Sequence, residues 1–168
     1  MRVQNATNMY SLQETVRFLR RNRHRRIVYA GGAYDLLHIG HIRYLAAARK
    51  LGDILVVGVG NDALVRSRKH NGSPLVPEKQ RAEVVSALKY VNRTFIARKV
   101  HYDLALVKKI RPNILVLPSE KKVASELKRE AKRIAKACKD VKIIFLYSGV
   151  RNVVSTTKLI ARAKRVRN

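Results

Sequence analysis

The stretch Ile27–Asp53, IVYAGGAYDLLHIGHIRYLAAARKLGD, restricts the fold more than any other part of the chain. An apolar strand (Ile27–Ala30) meets a glycine pair, Gly31 and Gly32, and then a helix that opens within the tetrad His38-Ile39-Gly40-His41. Gly52 stops that helix, and a second apolar run, Ile54–Val59, follows at once. A strand with no polar face is covered on both sides, as in a parallel sheet. The layout strand, glycine turn, helix N-terminus also suits phosphate, because backbone N–H groups and the helix dipole converge there.

The rest of the chain repeats the alternation. Ser11-Leu12-Gln13-Glu14 reads as a capping box opening a helix over 12–22, with Leu12, Val16 and Leu19 apolar. The helix after the tetrad is predicted over 39–51, with Ile42, Leu45, Ala46 and Leu51 inward. Asn61-Asp62 opens a short helix, and residues 66–77 form a basic loop. A helix over 78–91 is expected to bury Val84, Val85, Leu88 and Val91. Then come a strand at 94–97, a helix at 102–110 and a strand at 114–117. A long helix from Ser119 to about Ala137, a strand at 142–147 and a terminal helix from Ser155 complete the reading. This is an α/β pattern: a doubly wound five-stranded parallel sheet with helices on both faces. Ligands in such sheets sit at the carboxyl ends of the strands, where strand order reverses. Residues 1–25 read as a basic N-terminal helical extension and 26–168 as one catalytic domain.

Charge narrows the partners. Lys and Arg number 37 against 11 Asp and Glu, a formal net charge of +26 on 168 residues. Residues 1–26 hold seven arginines and one acid, Glu14, and residues 151–168 hold six Lys or Arg and no acid. Such an excess favours polyanions. Nucleic-acid contact through the basic ends is one reading, and a solvated surface adapted to heat or to the host is the other. The single cysteine, Cys138, excludes an intramolecular disulfide. No run of about 18 apolar residues suggests a membrane span, and the first ten residues carry no apolar signal core, so a cytoplasmic location is expected.

His38 and His41 lie three apart and share a face of the first helical turn, with Gly40 leaving room for a ligand to reach the backbone. Imidazoles there can donate hydrogen bonds to charge that grows during phosphoryl or nucleotidyl transfer. The competing reading is a capped, packed histidine pair. The glycine turn, Asp35 and the helix start all favour the phosphate site.

Gly32, Ala33, Tyr34, Asp35, His38, Gly40, His41, Gly52 and Asp53 reproduce the pattern G-x-F-D-x-x-H-x-G-H followed by G-D, with Tyr34 in the phenylalanine position. The chain thereby resembles the cytidylyltransferase-like nucleotidyltransferases, and further motifs in order extend the likeness over residues 11–163. Asp62 falls where the family has an aspartate after the second strand, and Lys69 where it has a lysine over the triphosphate. Pro77–Arg81 matches its arginine-bearing helix start, and Ser155-Thr156-Thr157-Lys158 its closing S-T-T motif. The nearest likeness is the adenylyltransferase part of ADP-heptose synthases, then glycerol-3-phosphate cytidylyltransferases and archaeal FMN adenylyltransferases. The chain departs from the pattern at His70, Ser73 and Pro118–Lys121.

The resemblance implies a Rossmann-like fold and transfer of a nucleoside monophosphate from ATP or CTP to a phosphorylated sugar or polyol, with release of pyrophosphate. The alternatives are FMN adenylyltransferase or phosphocholine or phosphoethanolamine cytidylyltransferase activity, and a non-catalytic relative that binds RNA or the ribosome. It implies that His38 and His41 stabilise charge at the α-phosphate and that Lys69 closes over the β- and γ-phosphates. It implies that Arg81, Ser155, Thr156 and Thr157 hold phosphate. Gly31, Gly32, Ala33, Tyr34, Asp35, Gly40 and Asp62 complete the nucleotide site. Mg²⁺ would enter through the nucleotide phosphates, with no metal ligand from the protein, and a homodimer is expected. Structural readings stand beside these roles: a solvated loop for Lys69, pairing of Arg81 with Glu78 or Glu83, and helix caps for Asp62 and Ser155–Thr157. His-Ile-Gly-His also resembles the class I aminoacyl-tRNA synthetase signature, but no K-M-S-K-S-like segment follows and no anticodon-binding domain fits in this length.

Overall fold

The computed structural model describes residues 8–68, 73–119 and 125–147, and beyond these 159, 162, 163 and 165. Among the described residues, five strands form one sheet: β1 (Ile27–Gly32), β2 (Ile54–Gly60), β3 (Arg93–Ala97), β4 (Ile114–Pro118) and β5 (Lys142–Leu146). Every pairing is parallel, and the order is β3-β2-β1-β4-β5. Helices α1 (Leu12–Arg21), α2 (Ile39–Arg49), α3 (Asp62–Arg68), α4 (Glu78–Ser86), α5 (Leu104–Ile110) and α6 (Ser125–Ala137) alternate with the strands. Of the helix expected from Ser119, the part from Ser125 is described. The helix expected from Ser155 falls outside the described residues except at 159, 162, 163 and 165, which are helical.

The sheet is covered on both faces, as its unbroken apolar strands require. Leu19 of α1, Val107 and Ile110 of α5 and Ile134 of α6 pack with Tyr29 and Phe95 on one side. Tyr44, Leu45 and Ala48 of α2, with Ala82 and Val85 of α4, cover the other. Leu19 is wholly buried, which is worth about 1.5–3 kcal/mol, so α1 packs as part of the core.

Local rules account for the helix ends. The capping box at Ser11 forms: the Glu14 N–H donates to the Ser11 hydroxyl at 3.1 Å, and the Ser11 N–H donates to the Glu14 carboxylate at 2.8 Å. Asp103 caps α5 by accepting from the Leu106 N–H at 3.0 Å. Two helices depart from the expected phase. In α2 the buried positions are Gly40, Tyr44, Leu45 and Ala48, while Ile42 and Ala46 are half-buried. Turning Gly40 inward at the cap sets the register, because residues four apart share a face. Tyr44 tolerates burial because its hydroxyl donates to the Val116 carbonyl at 3.1 Å. In α4, burial of Arg81, Ala82, Val85 and Ser86 leaves Val84 outward and 49% exposed. That helix ends at Ser86, whose hydroxyl donates back to the Glu83 carbonyl at 2.7 Å, and two tight turns lead on to Val91.

The amino edge of the sheet is clipped by side chains. The Ile27 N–H donates to the Asn113 side chain at 2.7 Å, the Leu55 N–H to the Asn92 side chain at 2.9 Å and the Arg26 N–H to Asp53 at 2.8 Å. Gly52 precedes that Asp53 because a Cβ there would lie 2.6 Å from the Arg26 carbonyl oxygen.

Candidate active site

Strand order reverses at β1, which has β2 on one side and β4 on the other. The turn leaving β1 therefore opens at the carboxyl edge where such folds bind ligands. Gly31 lies beside Gly58 of β2 and beneath His101, and a Cβ at Gly31 would sit 2.3 Å from the His101 Cβ. Three residues on, Tyr34 takes φ +50°, a left-handed conformation that costs a non-glycine residue about 1–2 kcal/mol. Its buried ring packs on Gly32 and meets the His41 ring edge-on, centroids 5.2 Å apart. Backbone strain of this kind gathers at functional sites. Burial pushes the Tyr34 phenol well above its usual pKa.

The tetrad starts α2 with a reciprocal cap. His38 is the N-cap, and its Nδ1 accepts from the Gly40 N–H at 3.2 Å. His41 Nδ1 accepts from the His38 N–H at 3.4 Å, and the two rings stack with centroids 3.8 Å apart. An Nδ1 that accepts a backbone N–H carries no proton, so each neutral imidazole holds its proton on Nε2. Capping and anion binding are therefore compatible: the cap uses Nδ1 and makes Nε2–H the donor. Imidazole N–H donors suit phosphate oxygens, while the N–H groups of His38, Gly40 and His41 are taken up by the cap and the first helical turn.

A buried network holds the walls of this site. Asp35 Oδ1 accepts from the N–H groups of Leu75 and Val76 at 2.8 and 3.0 Å, fixing the segment before α4 to the turn after β1. Arg81 is 2% exposed and spends its guanidinium on protein. Nε donates to the Val76 carbonyl at 2.8 Å, Nη1 to the Ala33 carbonyl, and Nη2 pairs with Asp62 at 2.6 Å. Its ion-pair partner is thus Asp62, not Glu78 or Glu83. Glu78 instead accepts from the Asp62 N–H at 2.7 Å. The side-chain cap of α3 is Asn61, which accepts from the Leu64 N–H at 3.0 Å. Asp62 serves the ion pair instead, and Arg81, expected to hold phosphate, here joins the β1 turn, α3 and α4.

A cavity of about 160 Å³ adjoins the turn, with Gly32 and Ala33 in its lining. Gly60, Leu64, Val65 and Ala97 form much of its wall, with Arg68, His101 and Tyr102 along one side. The Arg68 guanidinium reaches the Tyr102 hydroxyl at 2.6 Å and Glu126 at 3.3 Å. His101 Nε2 is buried without a hydrogen-bond partner among the described residues. Burial, and after it the Arg68 charge, brings the His101 pKa down to about 4. Sequence reasoning passed over His101, Tyr102 and Arg68. Their one local signal is that His101-Tyr102 follows the carboxyl end of β3.

His38, Gly40 and His41 thus stand at one edge with Gly31 to Asp35, Asp62 and Arg81. Lys69, Ser155, Thr156 and Thr157 lie outside the described residues. No helix among the described residues is long and apolar enough to cross a membrane.

Comparison with known proteins agrees with this fold. The FAD synthase of Thermococcus onnurineus is 38% identical over 144 residues, covering 85% of this chain and 94% of that protein. The bifunctional protein HldE of Campylobacter concisus is 34% identical over 162 residues, 94% of this chain but 31% of that longer protein. A crystal structure of a lipopolysaccharide core biosynthesis protein from Thermoplasma volcanium superimposes with TM-score 0.62 at 33% identity, covering 73% of this chain and 96% of that one. Pantoate-β-alanine ligase from Francisella tularensis shares the fold at TM-score 0.57 and 17% identity, over 93% of this chain and 77% of that one. With residues 29–162 matching the cytidylyltransferase-like family as a whole, the chain belongs to that family and is a nucleotidyltransferase.

Proposed function

We propose that this enzyme transfers AMP from ATP to the phosphate of FMN, forming FAD and pyrophosphate. The observation that carries this reading is the cavity at the turn after β1, walled mainly by glycine, alanine and aliphatic side chains. A flat apolar ring suits such a wall. Sugar hydroxyls turned toward the aliphatic part of that wall would lack partners, each at a cost of about 1–3 kcal/mol. The FAD synthase relatives support it further, since the chain spans nearly the whole of them. A heptose or other sugar phosphate as acceptor is the second reading, favoured by the likeness to HldE.

In this mechanism a phosphate oxygen of FMN attacks the α-phosphorus of ATP in line. The new O–P bond forms as the bond to the bridging oxygen breaks, and pyrophosphate leaves with that electron pair. His38 and His41 donate through Nε2–H to the charge that develops, and the N-terminus of α2 adds its dipole. Lys69 and Ser155–Thr157 hold the departing phosphates. Asp35, Asp62 and Arg81 are positioning residues that keep the walls in register. The donors around the tetrad suit anions rather than a bare cation, so magnesium would enter with the triphosphate and would supply charge screening there. Catalysis rests on positioning and electrostatics.

The test is a pyrophosphate-release screen that crosses ATP and CTP with FMN, heptose-1-phosphate, glycerol-3-phosphate, phosphocholine and phosphoethanolamine. Turnover confined to ATP with FMN is expected. Turnover with a sugar phosphate and none with FMN overturns the acceptor assignment.

A further inference from the structure

Two wide openings lie at the other end of the sheet. A cleft of about 580 Å³ runs along the amino ends of β1 and β2, lined by Arg23, Arg25, Arg26 and Lys50. A second, of about 550 Å³, lies by the amino ends of β4 and β5, lined by Lys108, Arg111 and Lys139. Arg23 and Asn113 belong to both, so the two clefts meet at these side chains. Acids are scarce in them: Asp140 in one, and in the other Asp53, whose carboxylate accepts the Arg26 N–H. The three salt bridges among the described residues use none of these seven cations.

The crowding is built in. The Arg23 guanidinium donates to the carbonyls of Arg111 and Ile110, at 2.5 and 3.0 Å, which fixes a cation between the two clefts. Burial and the charges of Arg111 and Arg20 hold its pKa below the usual range. Fixing like charges together destabilises a fold unless an anion neutralises them. The enzyme's own nucleotide does not serve, because the tetrad stands at the opposite edge, about 20 Å away along a six-residue strand. A line of cations through two joined clefts fits a chain of phosphates. It does not fit a bilayer: the exposed large apolar side chains among the described residues, Met9, Ile39, Leu75, Val84, Phe145 and Tyr147, line neither cleft.

We propose that these joined clefts bind the phosphodiester backbone of a nucleic-acid strand, independently of its sequence, as a second site remote from nucleotidyl transfer. The probes are labelled RNA and DNA strands of one mixed sequence, about 20 nucleotides long, titrated with the full chain by fluorescence anisotropy from about 50 to 200 mM KCl. Binding of either strand with a steep salt dependence is expected. In the variant R25Q/K50Q/K108Q/K139Q, whose four side chains are exposed, affinity falls at least about tenfold. Its log–log salt slope drops by about 3, at roughly 0.7 per lost single-strand contact. A charge-matched variant with exposed lysines changed elsewhere, K79Q/K89Q/K128Q/K132Q, changes binding little, and both variants keep pyrophosphate release. Equal losses in the two variants, unchanged binding in the first, or binding to anionic vesicles without binding to either strand overturns the proposal.

Discussion

His101→Leu removes a half-buried imidazole, its Nε2 shut off from water, and its effect on stability depends on pH in a calculable way. The folded-state pKa of His101 is about 4, against about 6.5 for an unfolded histidine. Between those values the unfolded chain binds a proton that the folded chain refuses, so stability falls as pH falls from 6.5 toward 4 and is flat above. At about pH 5 the ratio of the two binding terms is near 30, which is about 2 kcal/mol of stability lost relative to pH 7.5. Urea denaturation of both proteins at about pH 7.5 and pH 5 reads this directly, because the other histidines and the carboxylates titrate in common. The wild type should lose about 2 kcal/mol more than His101→Leu over that interval. Parallel pH profiles would refute the neutral imidazole.

Asp62→Ala leaves the Arg81 guanidinium, 2% exposed, without its counter-charge, and should cost about 3–5 kcal/mol by denaturant titration. Asp62→Asn, which keeps an acceptor for Nη2, should cost less. His41→Ala should lower kcat for pyrophosphate release about 10²–10³-fold, the worth of one well-placed donor, while its far-ultraviolet circular dichroism stays that of the wild type.

What could be read from the sequence was local. The order of strands and helices followed from runs such as Ile54–Gly60, buried along its whole length. The tetrad's place at a helix start followed from its glycines and histidines, and Ser11-x-x-Glu14 named its own cap. What could not be read joins distant residues. Asp35 finds its partners 40 and 41 residues on, and Arg81 finds Asp62 19 residues back, where its own helix offered nearer acids. Leu45, Val85 and Val91 face inward as their spacing predicts, but Ile42, Ala46 and Val84 do not, because burial of Gly40 and Arg81, a glycine and a charge, shifts the phase of α2 and α4. Hydrophobic spacing alone points to Ile42 and Val84. Tyr34 looks like an ordinary substitution for phenylalanine, and its left-handed backbone shows only once its ring lies on Gly32. His101 matters because Gly31 makes room for it across the sheet edge, 70 residues away in sequence. The excess of Lys and Arg reads as basic ends in the sequence; folding gathers Arg23–Arg26 with Lys50, Lys108, Arg111 and Lys139 at one edge.

The central claim is adenylyl transfer to FMN at the edge held by His38 and His41. Its most direct test follows FMN, ATP and magnesium with the purified enzyme by chromatography, measuring FAD and pyrophosphate together. The account predicts that the two appear in equal amounts and that CTP yields neither. Absence of FAD, alongside pyrophosphate released when heptose-1-phosphate is supplied, would contradict it.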